Sequence, residues 1–188
     1  MILKYNLQMI RIIDIILSVL GLIFLTPFLP IIFLLARIET GSAIFNQLRV
    51  GKDQKQFLLF KFRSMKIDTP SRGTHLIKKE NITKFGKFLR TTKLDEILQL
   101  YNVLIGNMSL VGPRPCLFSQ KKLIIERKKR GVFNVRPGIT GVAQIQGVTM
   151  KNPTMLAKID SKMIKQMSLI NYFYYIIMSV LLIFKKKS

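Results

Sequence analysis

Residues 12–36, "IIDIILSVLGLIFLTPFLPIIFLLA", form an apolar block that carries a single charge, Asp14. A helix rises about 1.5 Å per residue and about 20 apolar residues cross the hydrocarbon core of a bilayer, so this length permits a spanning helix. Pro27 and Pro30 lie near its middle, however, and each removes a helical hydrogen bond and clashes with the preceding turn. The block therefore predicts either a proline-kinked transmembrane helix or a bent hairpin.

The charges that flank this block bear on its orientation. Lys4 and Arg11 precede it, whereas Arg37, Arg49 and Lys52 follow it. Because cytoplasmic segments are enriched in Lys and Arg, basic residues on both sides favour neither orientation of a spanning helix. A bent hairpin would keep both flanks on the cytoplasmic side. The block does not resemble a signal peptide, since it is too long and no small-residue cleavage site follows it.

The composition of the whole chain restricts the classes of function. Its 188 residues include 31 Lys and Arg against nine Asp and Glu, a formal net charge of +22. That charge favours anionic partners such as nucleic acid, an anionic lipid leaflet or a phosphorylated substrate. Hydrophobic residues make up 49% of the chain and its mean hydropathy is +0.29, which is high for a soluble protein. One cysteine and one histidine, Cys116 and His75, argue against a disulfide framework, a structural zinc site and a Ser-His-Asp triad.

The pattern downstream of the block predicts a short hairpin followed by helices. Apolar and basic residues alternate over residues 43–66 around Gly51-Lys52-Asp53, which predicts a β-hairpin. Apolar residues at helical spacing from Leu94 to Ile105 predict a half-buried helix. A polar loop is predicted over 67–82, with a solvated His75, and a basic amphipathic stretch over 83–90. A charged helix is predicted before Gly131, with loops at "GPRP" and "RPGITG". The apolar tail is predicted to lie in the membrane interface or to span the membrane.

The only adjacent acidic pair in the chain, Asp95 and Glu96, lies in "RTTKLDEILQLYN", residues 90–102. A structural interpretation is available, because Thr92 and Asp95 have the spacing of a capping box. Carboxylates in the first turn of a helix are also stabilised by the helix dipole. On this interpretation the pair only starts the predicted helix.

The surrounding cations favour a chemical role for the same pair. Lys61, Arg63 and Arg90 precede it, and Arg114 follows it between two prolines that stiffen the backbone and suit the guanidinium to a phosphate. Nearby positive charge favours the ionised form of a carboxylate, which can act as a nucleophile or bind Mg²⁺. Both roles fit a pyrophosphate substrate, whose charge cations would neutralise during in-line attack.

Residues 85–115, "FGKFLRTTKLDEILQLYNVLIGNMSLVGPRP", resemble the signature block of the bacterial sugar transferase family, the monotopic polyprenyl-phosphate phosphoglycosyl transferases. The resemblance extends to "FNQLRVGKDQKQFLLFKFRSM" (45–65), to "VRPGITGVAQIQG" (135–147) and to the N-terminal apolar block. The resemblance covers roughly residues 8–150. The chain resembles the small form of the family, which lacks the multi-helix membrane region that precedes this core in larger relatives.

The resemblance implies an α+β, mostly helical fold. A re-entrant membrane hairpin over residues 1–38, broken at Thr26-Pro27, would precede a cytoplasmic catalytic domain over 39–168 with amphipathic interface helices and a short β-hairpin. An interfacial or membrane tail would follow over 169–188. The expected location is the cytoplasmic face of the bacterial inner membrane.

The resemblance also implies an activity. In the family the Asp of this pair attacks a UDP-sugar and expels UMP, and the phosphosugar then passes to polyprenyl phosphate, with Mg²⁺ required. Asp95 would be the nucleophile, and Glu96 would help with metal binding or proton handling, two roles that stay open. The matching phosphate-binding positions are Lys61, Arg90 and Arg114, with Arg63, Arg136 and Asp160 as weaker candidates.

Some positions depart from the family pattern. Leu98 replaces a common proline, Asn107 a common acid and Val142 a common aromatic residue. The sequence "QGV" at 146–148 stands where an arginine-containing "NGR" is typical, which puts recognition of the sugar nucleotide by that loop in doubt.

A second function class remains open from the sequence, a basic membrane-associated protein that binds nucleic acid or lipid without enzymatic activity. The chain lacks a recognisable nucleic-acid-binding motif, and its two lipophilic segments do not favour binding of nucleic acid. The expected partners are therefore a UDP-sugar, polyprenyl phosphate and anionic membrane lipid, without nucleic acid. A homo-oligomer is compatible with the sequence.

Overall fold

A computed structural model describes residues 2–69 and 79–185 of the chain; His75 lies outside the described residues. Within that part the protein is mostly helical, with one antiparallel β-hairpin and one short parallel strand pair. The helices are α1 (Ile2–Leu25), α2 (Leu29–Thr40), α3 (Lys84–Thr92), α4 (Gln99–Leu104), α5 (Lys121–Lys129), α6 (Val142–Ile145), α7 (Pro153–Lys165) and α8 (Leu169–Lys185). The strands are β1 (Ile44–Val50), β2 (Gln56–Phe62), β3 (Ser109–Val111) and β4 (Gly138–Thr140).

The apolar N-terminal segment consists of two helices joined by a 3₁₀ turn over Thr26–Phe28. Pro27 and Pro30 have no N–H to donate, so the regular α-helical hydrogen bonding is interrupted between α1 and α2. The hydroxyl of Thr26 donates to the carbonyl oxygen of Leu22 at 2.7 Å. Residues Gln8–Thr40, 33 in all, are long and apolar enough to cross a membrane by length and composition.

Both arms of this segment pack against the same part of the protein. On α1, Arg11 donates to the carbonyl oxygens of Val103 (2.7 Å) and Leu104 (3.1 Å), at the end of α4. On α2, Ile32 packs in a core cluster whose other buried members are Phe62, Leu89 and Ile97. The two ends of the apolar segment therefore contact one body, with the 3₁₀ turn between them.

Asp14, the one charge in the apolar block, is buried, and one of its carboxylate oxygens accepts three hydrogen bonds. Its Oδ1 accepts hydrogen bonds from the hydroxyl of Ser109 (3.1 Å), the N–H of Leu110 (2.8 Å) and the hydroxyl of Tyr172 (2.7 Å). A buried carboxylate is tolerated when several donors satisfy it. Asp14 therefore joins α1 to β3 and to α8.

The β-hairpin expected between residues 43 and 66 is confirmed. Strands β1 and β2 pair in antiparallel register, with Leu48 opposite Leu58. The connecting turn covers Lys52–Gln54, where Asp53 has a positive φ of 53°. This conformation is accessible to Asp because its short polar side chain can hydrogen-bond locally.

The loop predicted at "GPRP" is confirmed, whereas "RPGITG", also predicted as a loop, contains the short strand β4. β3 and β4 pair in parallel, with Ser109 opposite Gly138 and Val111 opposite Thr140. The two backbones approach so closely that a Cβ at Gly138 would collide with the backbone of Gly112. A three-residue strand is too short for an alternating pattern to reveal it, so the residues of β4 were predicted as part of a loop.

The capping box proposed at Thr92 is wrong. Its hydroxyl instead donates to the carbonyl oxygens of Phe88 and Leu89 in the preceding turn. Lys93 then adopts a left-handed conformation (φ 63°) that ends α3, and a 3₁₀ turn over Leu94–Glu96 precedes α4. The predicted helix from Leu94 is thus divided, and its regular part begins at Gln99.

The predicted charged helix and the apolar tail are both helices. Gly131, with a φ of 66°, follows the end of α5. In α8, Tyr172 and Tyr175 are buried in a core cluster with Ile10 of α1. The exposed side of α8 carries large apolar residues: Ile170, Phe173, Tyr174, Ile177, Val180 and Leu181.

Candidate active site

The acidic pair lies in the 3₁₀ turn between α3 and α4. Asp95 is 7% exposed, and its Oδ1 is buried with no hydrogen-bond partner among the described residues. Glu96 is engaged instead, since its Oε1 accepts a hydrogen bond from Nη2 of Arg114 at 2.8 Å. A buried carboxylate oxygen without a partner is costly unless a ligand, an ion or water satisfies it. In this turn the Glu96 carboxylate is therefore held by Arg114, whereas Oδ1 of Asp95 can still accept a ligand.

Arg114 is held in place through its own backbone and that of its neighbour. Nη1 of Arg127 donates to the carbonyl oxygen of Arg114 at 2.8 Å, and Nη1 of Arg49 donates to that of Pro115 at 3.0 Å. The Arg114 side chain remains 40% exposed while its guanidinium contacts Glu96. A guanidinium fixed in this way can bind an anion with little loss of conformational entropy.

Lys61, from β2, supplies a second cation. Its Nζ lies 5.1 Å from the centroid of the Phe45 ring on the opposite strand. Burial lowers the pKa of Lys61 to about 8, although the charges of Asp95 and Glu96 partly oppose that effect. The lysine is therefore close enough to the acidic pair to interact with both carboxylates.

The two carboxyl groups have pKa values shifted in opposite directions. Burial, followed by the neighbouring charge of Glu96, raises the pKa of Asp95 to about 6, against the lowering effect of Lys61, Lys93 and Arg90. Burial of Glu96 would also raise its pKa, but the charges of Arg114 and Lys93 and the hydrogen bond from Arg114 lower it overall. Glu96 thus carries the more stable negative charge, and Asp95 titrates nearer neutrality.

The acidic pair supplies two carboxylates to a candidate metal site. The described residues contain no cluster of three or more His, Cys, Asp or Glu side chains that could hold a metal by themselves. Mg²⁺, however, is commonly bound by one or two carboxylates together with the phosphates of a substrate. Asp95 and Glu96, with the free Oδ1 of Asp95, fit a Mg²⁺ that is shared with a diphosphate.

The structure brings together only part of the predicted phosphate-binding set. Lys61, Arg90 and Arg114 all act electrostatically on the acidic pair. The guanidinium carbon of Arg63 lies 5.3 Å from the Phe45 ring centroid, beside Lys61.

Arg136 and Asp160 are placed elsewhere. Nε of Arg136 donates to the carbonyl oxygen of Gly106 at 2.7 Å, and Arg136 lines a separate cavity. Asp160 is buried in an ion pair, accepting from Nε (3.0 Å) and Nη2 (2.7 Å) of Arg127. Its contact with the acidic pair is therefore indirect, through Arg127 and the backbone of Arg114.

Two arginines that support the site, Arg49 and Arg127, were not among the residues selected from the sequence. Arg127 follows Leu123 by four residues in α5, and both are buried on the same face. The sequence did not single out Arg127, because Ile124 and Lys128 have the same spacing and Lys128 is exposed. Arg49 was not singled out either, because alternating basic residues in a strand are also expected on a solvated face.

Comparison with known proteins is consistent with this arrangement. A family model described as bacterial sugar transferase matches residues 5–186. A Klebsiella pneumoniae protein named UDP-glucose:undecaprenyl-phosphate glucose-1-phosphate transferase is 42% identical over 149 residues, which are 76% of this chain and 32% of that protein.

Two further relatives are shorter. A Bacillus subtilis protein named putative undecaprenyl-phosphate N-acetylgalactosaminyl 1-phosphate transferase is 44% identical over 108 residues, or 56% of this chain and 60% of that protein. The exopolysaccharide production protein PSS of Rhizobium leguminosarum bv. phaseoli is 38% identical over 155 residues, or 77% of this chain and 76% of that protein. The chain thus spans 32% and 60% of the lengths of the Klebsiella and Bacillus relatives.

Proposed function

Since this chain belongs to the bacterial sugar transferase family, we propose that it transfers a sugar phosphate from a UDP-sugar to polyprenyl phosphate and releases UMP. The observation that carries the proposal is the buried Oδ1 of Asp95, which has no hydrogen-bond partner in the described part of the chain and lies near the cations Lys61, Arg90 and Arg114. The names of the Klebsiella and Bacillus relatives, both sugar 1-phosphate transferases that use undecaprenyl phosphate, support the same activity. Such a reaction would start the assembly of a glycan on a lipid carrier.

The first step is attack by the carboxylate of Asp95 on the β-phosphorus of the UDP-sugar. A bond forms between Asp95 and that phosphorus, the bond to the bridging oxygen breaks, and UMP leaves with the bonding electron pair. Arg114 and Lys61 stabilise the negative charge that develops on the phosphoryl oxygens. Glu96 holds the guanidinium of Arg114 in position through the 2.8 Å hydrogen bond.

The second step returns the enzyme to its starting state. An oxygen of polyprenyl phosphate attacks the same phosphorus, and the bond to Asp95 breaks, which restores the carboxylate and forms the lipid-linked diphosphate sugar. Mg²⁺, held by the acidic pair, would neutralise charge on the diphosphate. The burial of Asp95 limits access of water, which would otherwise hydrolyse the covalent intermediate.

A re-entrant membrane hairpin is the placement that we propose for α1 and α2. A helix that crossed the bilayer would separate its ends by about 30 Å of hydrocarbon. Here Arg11 and Ile32, on opposite sides of the 3₁₀ turn, contact the same body. The large apolar residues near the turn point outward, with Phe24 74% exposed and Ile23 65% exposed. Both flanks, and the acidic pair, would then lie on the cytoplasmic face of the inner membrane.

The C-terminal helix is proposed to lie in the membrane interface. One face of α8 is held by Tyr172 and Tyr175, while the opposite face is exposed and apolar. A helix with this division of faces lies along a bilayer surface with its apolar side in the lipid. The basic surface of the chain would add attraction to anionic lipid headgroups.

Replacement of the nucleophile tests the activity directly. Asp95→Asn keeps the shape of the side chain but removes its nucleophilic charge, so we expect UMP release from a panel of UDP-sugars with polyprenyl phosphate and Mg²⁺ to be abolished. The family match gives no support to a nucleic-acid-binding function.

The matched control for this variant is Asp53→Asn, in the exposed β1–β2 turn, which should retain the wild-type rate. Full activity of Asp95→Asn would contradict the covalent mechanism. Absence of turnover by the wild-type protein, together with salt-sensitive binding of DNA, would contradict the proposed function as a whole.

A further inference from the structure

A cavity of about 130 Å³ lies apart from the acidic pair, between α1, α7 and the segment Ser109–Pro113. Neither Asp95, Glu96 nor Arg114 lines it. A cavity of this volume has room for several water molecules or for a group such as a phosphate.

The charged lining of this cavity is mainly cationic. Arg11, Lys52 and Arg136 face one carboxylate, Asp14, whose Oδ1 is already engaged by three donors. Arg11 and Arg136 are close enough to repel each other. Asp14 attracts Arg11, but no second carboxylate among the residues that the structure describes lines the cavity to balance Lys52 and Arg136.

The turn after α4 brings these two arginines together. Nη2 of Arg11 donates to the carbonyl oxygen of Leu104 at 3.1 Å, and Nε of Arg136 donates to that of Gly106 at 2.7 Å. Within the described ranges 2–69 and 79–185, the terminal nitrogens of Arg136 make no hydrogen bond or ion pair. Those N–H groups are available to a ligand and suit phosphate oxygens. Both terminal nitrogens of Arg11 already donate to backbone carbonyl oxygens, so Arg11 contributes mainly its positive charge.

The remaining wall of the cavity is apolar. Ile10 comes from α1, and Met163, Ile164 and Met167 come from α7 and the residues just before α8. Both α1 and α8 expose apolar faces that we place in lipid. The apolar wall would add no binding free energy for a free inorganic anion. An anion that carries an alkyl chain could contact both the cationic residues and the apolar wall.

We propose that this cavity binds the phosphodiester headgroup of an anionic membrane phospholipid, with its phosphate on Arg136 and Lys52, beside the charge of Arg11, and an acyl chain along Met163 and Met167. The proposal rests on the membrane placement given above. The polyprenyl phosphate acceptor is a poorer occupant, because its phosphate has to reach Asp95, which does not line the cavity. Bound lipid would fix α1, α7 and the Gly112-Pro113 segment, the last of which leads directly into Arg114.

The test is lipid retention by the full chain. Protein purified in detergent and stripped of lipid is titrated with phosphatidylglycerol, and native mass spectrometry counts the lipids bound. We expect one phosphatidylglycerol to be retained by the wild type, with an affinity at least tenfold weaker in Lys52→Glu/Arg136→Gln. The control Lys128→Glu/Lys129→Gln makes the same change in net charge on the exposed side of α5 and should bind like the wild type.

The other ligands separate the alternative occupants. Dioleoylglycerol, which lacks the phosphate, should not be retained, and inorganic phosphate should not compete at equal concentration. Equal retention by both double variants, or retention of dioleoylglycerol, would overturn the proposal. Preferred retention of polyprenyl phosphate would assign the cavity to the acceptor, and effective competition by inorganic phosphate would assign it to a free anion.

A folding defect in the double variant would not prevent a decision. Lys52→Glu alone changes an exposed side chain, and it should still weaken retention several-fold if the cavity binds the headgroup. Unchanged retention in this single variant would contradict the role of Lys52. The readout is independent of turnover, so a failure of UMP release and a failure of lipid retention are distinguishable.

Discussion

At the residue scale, Asp95 and Lys61 are expected to set the pH range of the reaction. Asp95, the proposed nucleophile, reacts only when ionised, so the rate should rise as the pH passes the Asp95 pKa of about 6. Lys61 must be charged, so the rate should fall as the pH passes about 8. Single-turnover UMP release without acceptor measures this profile, because the diphosphate of the donor does not titrate in this range.

The matched variant for the alkaline limb is Lys61→Arg. A guanidinium stays protonated throughout this range, so the fall in rate near pH 8 should move to higher pH even if the maximal rate decreases. An alkaline limb at the same pH in Lys61→Arg would show that another group titrates there.

Glu96→Gln separates the charge of Glu96 from its hydrogen bond. The amide oxygen can still accept from Arg114, but the negative charge that raises the Asp95 pKa is lost. The acidic limb of single-turnover UMP release should therefore move to lower pH. An acidic limb that stays at the wild-type pH would contradict electrostatic coupling between the two carboxylates.

The acidic pair could be selected from the sequence as a candidate site, but its geometry could not be predicted. The cations near Asp95 and the family resemblance were sufficient to select it. Its placement depends on the left-handed conformation of Lys93, which non-glycine residues seldom adopt and which the capping-box spacing at Thr92 did not reveal. Asp160 was selected as a substrate residue, whereas its buried pairing with Arg127 depends on the packing of two helices distant in sequence.

At the element scale, the packing of α5 on α7 should depend on the Arg127–Asp160 pair. Both side chains are 2% exposed, so Arg127→Met would leave an unpaired buried carboxylate and should lower the free energy of unfolding by about 3–5 kcal/mol. Urea unfolding in detergent measures this change. UMP release should also fall, because the hydrogen bond to the Arg114 carbonyl is lost.

Arg130→Met is the control for this variant. Arg130 pairs with Glu126 within α5 at a more exposed position, so its loss should cost on the order of 1 kcal/mol or less. Arg127→Met/Asp160→Leu should recover part of the stability, since no charge is left unpaired. A double variant less stable than Arg127→Met would contradict this account.

Elements with a strong local pattern were predictable. The hairpin of β1 and β2 and the helix α5 followed from alternation and from a glycine stop, because both patterns arise from contacts within a few residues. The parallel pair of β3 and β4 was not predictable. It joins three-residue segments almost 30 positions apart, and its close approach depends on Gly112 and Gly138.

At the scale of the whole molecule, the membrane placement predicts that both flanks of the apolar segment share one side. Asn6→Cys and Ser42→Cys should each react with a membrane-impermeant maleimide in inside-out vesicles and not in right-side-out vesicles. The parent protein is the blank for labelling, because its one cysteine, Cys116, is buried. Labelling of the two positions from opposite sides would restore the plain spanning helix.

The hydrogen bonds to Asp14 have a consequence for biosynthesis. The hydroxyl of Tyr172 lies 158 positions further along the chain, while Ser109 and Leu110 lie 95 and 96 positions further. At a synthesis rate of about 5–20 residues per second, Asp14 leaves the ribosome roughly 8–30 s before Tyr172 does. During that interval Asp14 lacks the hydrogen bond from Tyr172, within a segment that we propose to lie in the membrane. The donor set of Asp14 is therefore completed only after α8 has been synthesised and has packed against α1.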